Sequence, residues 1–420
     1  MLIVERNLCM RAVGVVVEYN PFHNGHYYHI QESRKVTEAN LVIAVMSGNF
    51  LQRGEPALVS KWARTKMALE GGADIVIELP YVFATQKAEI FAFGAVSLLH
   101  ALEVDSICFG SESGDIRSFQ NTLKEMKARK GSFDAFLKQA LEEGKSYPRA
   151  ASDAFHSLQL ADSTVDLSQP NNILGFHYVE AIDKLGSRMK PFTIQRTKAG
   201  YHDQHFADQH IASATSIRSS LFSERTNLEE IQNVIPDTTY SHLLSYKKSF
   251  GLFHHWESYY AYFKYKLLSS TPEELRQIYE VEEGLENRLL QNITSSSTFK
   301  DFMEKIKTKR YTWTRLQRLC VHILINTSKS LMQENSDYPT YIRLLGTTLT
   351  GQEYLNTIKK KVAIPIVSRL SSFSNEQISL DIKASNVYAS CLNEPYRSNM
   401  IKSEFSNPPI RYDQTNKQFL

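Results

Sequence analysis

The chain has 420 residues, of which 42% are hydrophobic and 22% charged, with a formal net charge of +3; this fits a globular protein with a large core and room for two domains. No apolar run reaches the roughly 18–20 residues of a membrane span. Cys9, Cys108, Cys320 and Cys391 are too scattered for a disulfide scaffold or a zinc ribbon, so a soluble cytoplasmic protein with no metal site is expected.

Residues 1–9 carry Glu5 and Arg6 and lack the apolar stretch of a secretory signal; they read as an N-terminal extension, with Met10 an alternative start. From Arg11 to Arg196 short β-rich runs alternate with amphipathic segments. The strand candidates are Ala12–Glu18, Leu41–Ser47, Asp74–Leu79, Ser106–Gly110 and Phe192–Gln195. Between them lie the helix candidates Gly25–Thr37, Ser60–Glu70, Lys87–Leu102 and Asp115–Lys127. This alternation predicts βαβ units, hence a Rossmann-like, doubly wound parallel sheet over residues 10–235. Ligands bind such sheets at the carboxyl ends of the strands.

After the polar stretch Thr197–His210 a helix is expected near Thr215. Beyond Pro236 the β signals fade, and Tyr259–Leu268, Pro272–Tyr279, Leu285–Ile293, Arg310–Met332 and Glu353–Lys361 predict a mainly helical second domain over 236–420. Ala363–Val367 is its one β-like run, and the tail from Asn399 reads as loosely ordered. Residues 241–420 hold 24 Lys and Arg against 17 Asp and Glu, whereas residues 1–240 hold 24 against 28. The asymmetry suits a C-terminal part that faces a polyanion, or simply a basic solvated surface.

The segment richest in chemistry runs from Gly14 to His29: Gly14, Val15, Val16, Val17, Glu18, Tyr19, Asn20, Pro21, Phe22, His23, Asn24, Gly25, His26, Tyr27, Tyr28 and His29. It carries an apolar strand into a turn at Pro21 and opens a helix at the His-Asn-Gly-His motif. A helix N-terminus offers unpaired N–H groups and partial positive charge, which suits a triphosphate. His23 and His26, three residues apart, share one side of the turn and can donate to charge developing on an α-phosphoryl group. Gly25 lets a nucleotide approach the backbone. A zinc site is the competing reading, but no His pair at i, i+4 with an adjacent Glu occurs here.

A second signature, Ile211 to Arg218, supplies Ser213, Thr215 and Ser216 as hydroxyls and a helix cap, and Arg218 as a permanent charge for the leaving pyrophosphate. By itself it is an ordinary N-cap; paired with the histidine motif it is the expected second half of a site.

Together the two segments resemble the HxGH nucleotidylyltransferase superfamily. The longer strings Val-Val-Glu-Tyr-Asn-Pro-Phe-His-Asn-Gly-His, Met46–Ala57 and Ser146–Ala150 resemble the bacterial tRNA(Met) cytidine acetate ligases over nearly the whole chain from Met10. The resemblance implies that acetate attacks ATP, as its Mg²⁺ complex, to give acetyl-adenylate. The acetyl group then passes to the wobble cytidine of elongator tRNA(Met). It further implies ATP contacts over Val16–His29 and at Gly110, Asn171 and Arg196. Without it, Asn171 reads as a helix cap and Arg196 as a surface cation at a strand end.

Lys305, Lys307, Lys309, Arg310 and Arg315, interleaved with Tyr311 and Trp313, have the composition of a tRNA-binding surface; a charged helix face accounts for them equally. Two other functions fit parts of the pattern. A small-molecule adenylyltransferase shares the motif but needs no basic helical extension, and a relic nucleotide fold that binds RNA has no need of intact His23, Gly25, His26 and Arg218.

Overall fold

In the computed structural model, β1 (Ala12–Val17) is an interior strand of the sheet and the middle one of its parallel part. The structure describes residues 10–158, 164–196, 212–223, 228–282 and 284–420; the expected N-terminal extension, the stretch Thr197–His210 and Ile211 lie outside them. β1 is apolar on both faces, as a strand covered on both sides must be. Val13, Val15 and Val17 pack into one core cluster and Ala12 and Val16 into the other. Gly14 admits the fourth helix of the chain so closely that a Cβ there would lie 2.5 Å from Leu99.

The chain continues through α1 (Asn24–Thr37), β2 (Leu41–Ser47), α2 (Lys61–Glu70), β3 (Ile75–Leu79), α3 (Tyr81–Ala84), α4 (Ala88–Ala101) and β4 (Ser106–Ser111). Then come α5 (Ile116–Ala128), α6 (Lys130–Glu142), α7 (Tyr147–Ser157), α8 (Pro170–Lys184), β5 (Lys190–Gln195) and α9 (Ala214–Leu221). β1 to β5 run parallel in the order β5-β4-β1-β2-β3, which is the doubly wound arrangement expected. The strand order reverses between β1 and β4, so the crevice for a ligand opens there.

The later residues are α10 (Asp237–Phe250), α11 (Trp256–Leu268), α12 (Pro272–Arg276), α13 (Leu285–Ile293), α14 (Phe299–Ile306), α15 (Trp313–Ile325) and α16 (Lys329–Asn335). β6 (Ile342–Thr348), α17 (Leu349–Ile358), β7 (Ile366–Val367), α18 (Glu376–Ala389), α19 (Tyr396–Ser406), β8 (Ile410–Asp413) and β9 (Gln418–Phe419) complete the order.

Three expectations change here. The sheet does not stop before residue 236: β6 pairs antiparallel with β3 and carries β7, β8 and β9 onto the same sheet. β6 is buried throughout, but Arg343 interrupts its apolar run and hides it from pattern reading. The Arg310–Met332 segment is two helices, because Asn326 takes a left-handed backbone (φ 57°) that ends α15. The tail from Asn399 is ordered: Glu404 is buried, and Tyr412 packs into the core.

A buried ion cluster ties the late helices to the early sheet. Lys61 Nζ donates to both oxygens of Glu78 at 2.8 and 2.7 Å and to Glu404 Oε1 at 2.7 Å. Lys61 is fully buried, so removing it would strand two carboxylates away from water.

Candidate active site

The site is built on the turn that leaves β1. Tyr19 is fully buried and takes a left-handed backbone (φ 49°), a costly conformation for a bulky residue that the surroundings must hold. Its ring stands edge-on to Phe22 and His26, with centroids 4.7 and 4.9 Å away. Asn20 Oδ1 accepts the Leu58 N–H at 2.6 Å. Below the turn, the fully buried Arg64 donates to the carbonyls of Glu18 (2.8 Å), Ser47 (2.9 Å), Gly48 and Val59. One guanidinium thus clasps the carboxyl ends of β1 and β2. Its pKa is lowered to about 10 by burial, which leaves it charged.

His23 and His26 form a capping box at the start of α1. His23 Nδ1 accepts the Gly25 N–H at 3.0 Å, and His26 Nδ1 accepts the His23 N–H at 3.3 Å. The two rings stack with centroids 3.7 Å apart. Because each Nδ1 is an acceptor, each neutral ring must carry its proton on Nε2. Burial, reinforced by Arg196, lowers the His23 pKa to about 4, and burial together with His23, His29 and Arg196 holds His26 well below the usual histidine range. Both rings are therefore neutral Nε2–H donors at pH 7. His29, one turn on, is lowered to about 4 by burial and Arg196; it hydrogen-bonds the Cys108 backbone, and its Nε2 is buried without a partner.

The second signature reaches this turn through Arg218. Ser213 caps α9 by accepting the Ser216 N–H at 3.1 Å, and Ser216 Oγ donates to the Ser213 carbonyl at 2.8 Å. Ser213, Thr215 and Ser216 face solvent. Ile217 anchors the helix in the core, which sends Arg218 across to the β1 turn. Its guanidinium donates to the Asn20 carbonyl at 2.9 Å and to Glu55 at 2.7 Å.

On the other side of the crevice, Arg196 lies along the end of β4, where a Cβ on Gly110 would come within 3.1 Å of its side chain. Glu112 caps α8, accepting from the Asn171 side chain at 2.6 Å and from the Asn172 N–H at 2.8 Å. Val16 and Val17 serve the sheet, and Asn24 donates to the Asn233 carbonyl at 3.1 Å. Tyr27 and Tyr28 are each 47% exposed.

The arrangement presents two imidazole N–H donors and a helix N-terminus at the topological switch point, with Arg218 and Arg196 flanking it. Neutral N–H donors at a helix N-terminus between two guanidinium groups can hold an anion.

The family described as HIGH Nucleotidyl Transferase matches residues 10–404 of the chain. The chain belongs to this family. It is 51% identical to the tRNA(Met) cytidine acetate ligase of Bacillus subtilis (strain 168) over 415 residues, covering 98% of this chain and all of that protein. It is 52% identical to the protein of the same description from Bacillus cereus (strain AH187) over 393 residues, covering 93% of this chain and all of that one. Among solved structures, Thermotoga maritima TmcAL bound with alpha-thio ATP superposes with a TM-score of 0.88 at 34% identity, covering 96% of this chain and all of that one.

In this HIGH nucleotidyl transferase two of the basic residues singled out in the later helices, Lys305 and Arg315, have acidic partners. Lys305 is tied to Asp301 at 2.9 Å and to the Ser295 carbonyl at 2.7 Å. Arg315 lies over the Tyr311 ring, 4.8 Å from its centroid, and reaches Glu282 at 3.4 Å. Tyr311 is buried, so it cannot stack on a base, whereas Trp313 is partly exposed. Lys307, Lys309 and Arg310 stay at the surface, and Arg310 borders a cleft with Asp134, Lys138 and Glu142 of α6.

Sequence reasoning assigned no separate role to Glu55 or Glu112, which hold Arg218 and α8, and did not place Arg64 under the strand ends that it holds. Glu112 could have been found from its place in the Gly-Ser-Glu-Ser-Gly junction that follows β4. Arg64 carries no such signal, because an arginine in an amphipathic helix ordinarily faces water.

Proposed function

We propose that the chain is an ATP-dependent tRNA(Met) cytidine acetate ligase. In this reading ATP docks with its phosphates on the N-terminus of α1. The observation that carries it is the two-histidine capping box, which fixes both rings as Nε2–H donors beside Arg218. Acetate is already ionised at neutral pH, so adenylation needs alignment and charge neutralisation rather than a base. His23 and His26 donate to the α-phosphoryl oxygens as charge builds. Arg218 is placed to exchange Glu55 for the departing pyrophosphate, with Ser213, Thr215 and Ser216 beside it. Gly110, Asn171 and Arg196 line the nucleoside side.

Mg²⁺ would travel on the triphosphate. Among the described residues no group of three or more His, Cys, Asp or Glu side chains is arranged to hold a metal ion. The acetyl group then passes to the wobble cytidine of elongator tRNA(Met), giving 4-acetylcytidine. Lys307, Lys309 and Arg310 are the best placed of the basic residues for phosphate contacts, with Lys305 and Arg315 behind them, and residues 236–420 act as the tRNA-binding part. No helix of the described residues is long and apolar enough to cross a membrane, and we place the enzyme in the cytoplasm with its tRNA substrate.

The deciding experiment is mass analysis of tRNA nucleosides after incubation with ATP and isotopically labelled acetate. Labelled 4-acetylcytidine in tRNA(Met) is the expected product. Labelled acetate that never leaves the nucleotide, or a different acceptor, would overturn the assignment.

A further inference from the structure

Acyl transfer to an amine needs a proton acceptor, and the histidine pair cannot be one. Each Nδ1 is occupied by a backbone N–H, and each Nε2 already carries a proton. Arg218 is permanently charged. Among the described residues around the turn that leaves β1, the carboxylate of Glu18 is the candidate that faces away from the histidine pair's own hydrogen bonds. Glu18 follows β1 on the face opposite α1: Val13, Val15 and Val17 point toward Ile30 of α1, while Gly14 and Val16 point toward the Leu99 and Tyr178 side. Its Oε1 accepts the Gln52 N–H at 2.8 Å; among the described residues no donor reaches Oε2.

We propose that Glu18 is the general base of acetyl transfer, receiving one proton from the attacking cytidine amine. This rests on the reading of the chain as a cytidine acetate ligase and extends it to the second half-reaction. The amine lone pair forms the new C–N bond. The C–O bond to the adenylate breaks with its electron pair leaving on AMP, and one N–H proton passes to the Glu18 carboxylate and from there to solvent.

The surroundings suit that task. Burial raises the Glu18 pKa, the Gln52 N–H lowers it, Glu55 raises it, and Arg53 and Arg218 lower it; the outcome lies above the ordinary carboxylate value. The charged and titratable groups facing it are Arg53 and Glu55 from the loop after β2, Arg64 from α2, Tyr178 from α8 and Arg218 from α9. A carboxylate with a raised pKa is a stronger base.

The plain alternative is that Glu18 only pins the loop through Gln52. Glu18→Gln separates the two, because the amide oxygen still accepts that N–H but has no basicity. Acetate-dependent ATP–pyrophosphate exchange and single-turnover transfer from preformed acetyl-adenylate to tRNA(Met) are measured side by side. Transfer should fall by about 10²–10⁴ relative to exchange, and Glu18→Asp should recover part of the loss. An unchanged ratio of the two rates overturns the assignment. Should Glu18→Gln fail to fold, the wild-type enzyme serves: its single-turnover transfer should decline toward acid pH as one group protonates, and a flat profile would equally reject Glu18. A wild-type enzyme that acetylates no tRNA would instead reject the underlying reading.

Discussion

His26 carries two separable duties, and a pair of substitutions pulls them apart. Its Nδ1 completes the capping box by accepting the His23 N–H at 3.3 Å, and in the proposed reaction its Nε2–H donates to the reacting phosphate. His26→Ala removes both. His26→Asn keeps an oxygen near the Nδ1 position but has no donor where Nε2 stood. Loss of a capping side chain costs about 1 kcal/mol of stability, whereas loss of one donor to a developing oxyanion costs roughly 2.7–4 kcal/mol of transition-state stabilisation, or 10²–10³ in rate. His26→Asn should therefore unfold near the wild-type urea midpoint and yet lose about 10²–10³ in acetate-dependent ATP–pyrophosphate exchange. His26→Ala should lose the same rate and about 1 kcal/mol besides. Neither substitution should change tRNA affinity in a filter-binding assay. If His26→Asn exchanged pyrophosphate at the wild-type rate, the assignment of Nε2–H as the donor would be wrong.

Three further outcomes are expected. His23 and His29, each lowered to about 4 in the folded state, bind fewer protons than in the unfolded chain. Their contribution is complete above about pH 6.5 and is lost as pH falls from there toward 4, so urea midpoints should drop across that window, and less steeply in His23→Asn. Neutralising Lys307 and Arg310 should weaken tRNA binding and reduce its log–log salt slope by about 1 per lost phosphate contact; equal affinity and slope would return these residues to ordinary surface. Lys61→Ala leaves Glu78 and Glu404 buried without their cation and should cost about 3–5 kcal/mol in chemical denaturation, with unfolding at the wild-type midpoint contradicting the buried cluster.

The parallel core was legible from amino-acid order alone, and so was the turn on which the proposed chemistry rests. β1, β2 and α1 are legible because apolar runs between turn residues have one stable outcome, a strand covered on both faces. The histidine motif is legible because Pro21 and the helix that follows place it at a strand's carboxyl end. Arg218 was nameable from its segment, but its contact with the Asn20 carbonyl spans 198 residues and depends on how α9 packs. Tautomers, likewise, follow only from the capping box. The continuation of the sheet through β6 was hidden because Arg343, a residue expected in water, lies buried and donates to the Glu404 carbonyl. Arg64 and Lys61 belong to the same class. Local pattern reports what a residue prefers in water, and the charges inside this protein are kept there by partners that only the folded chain brings near.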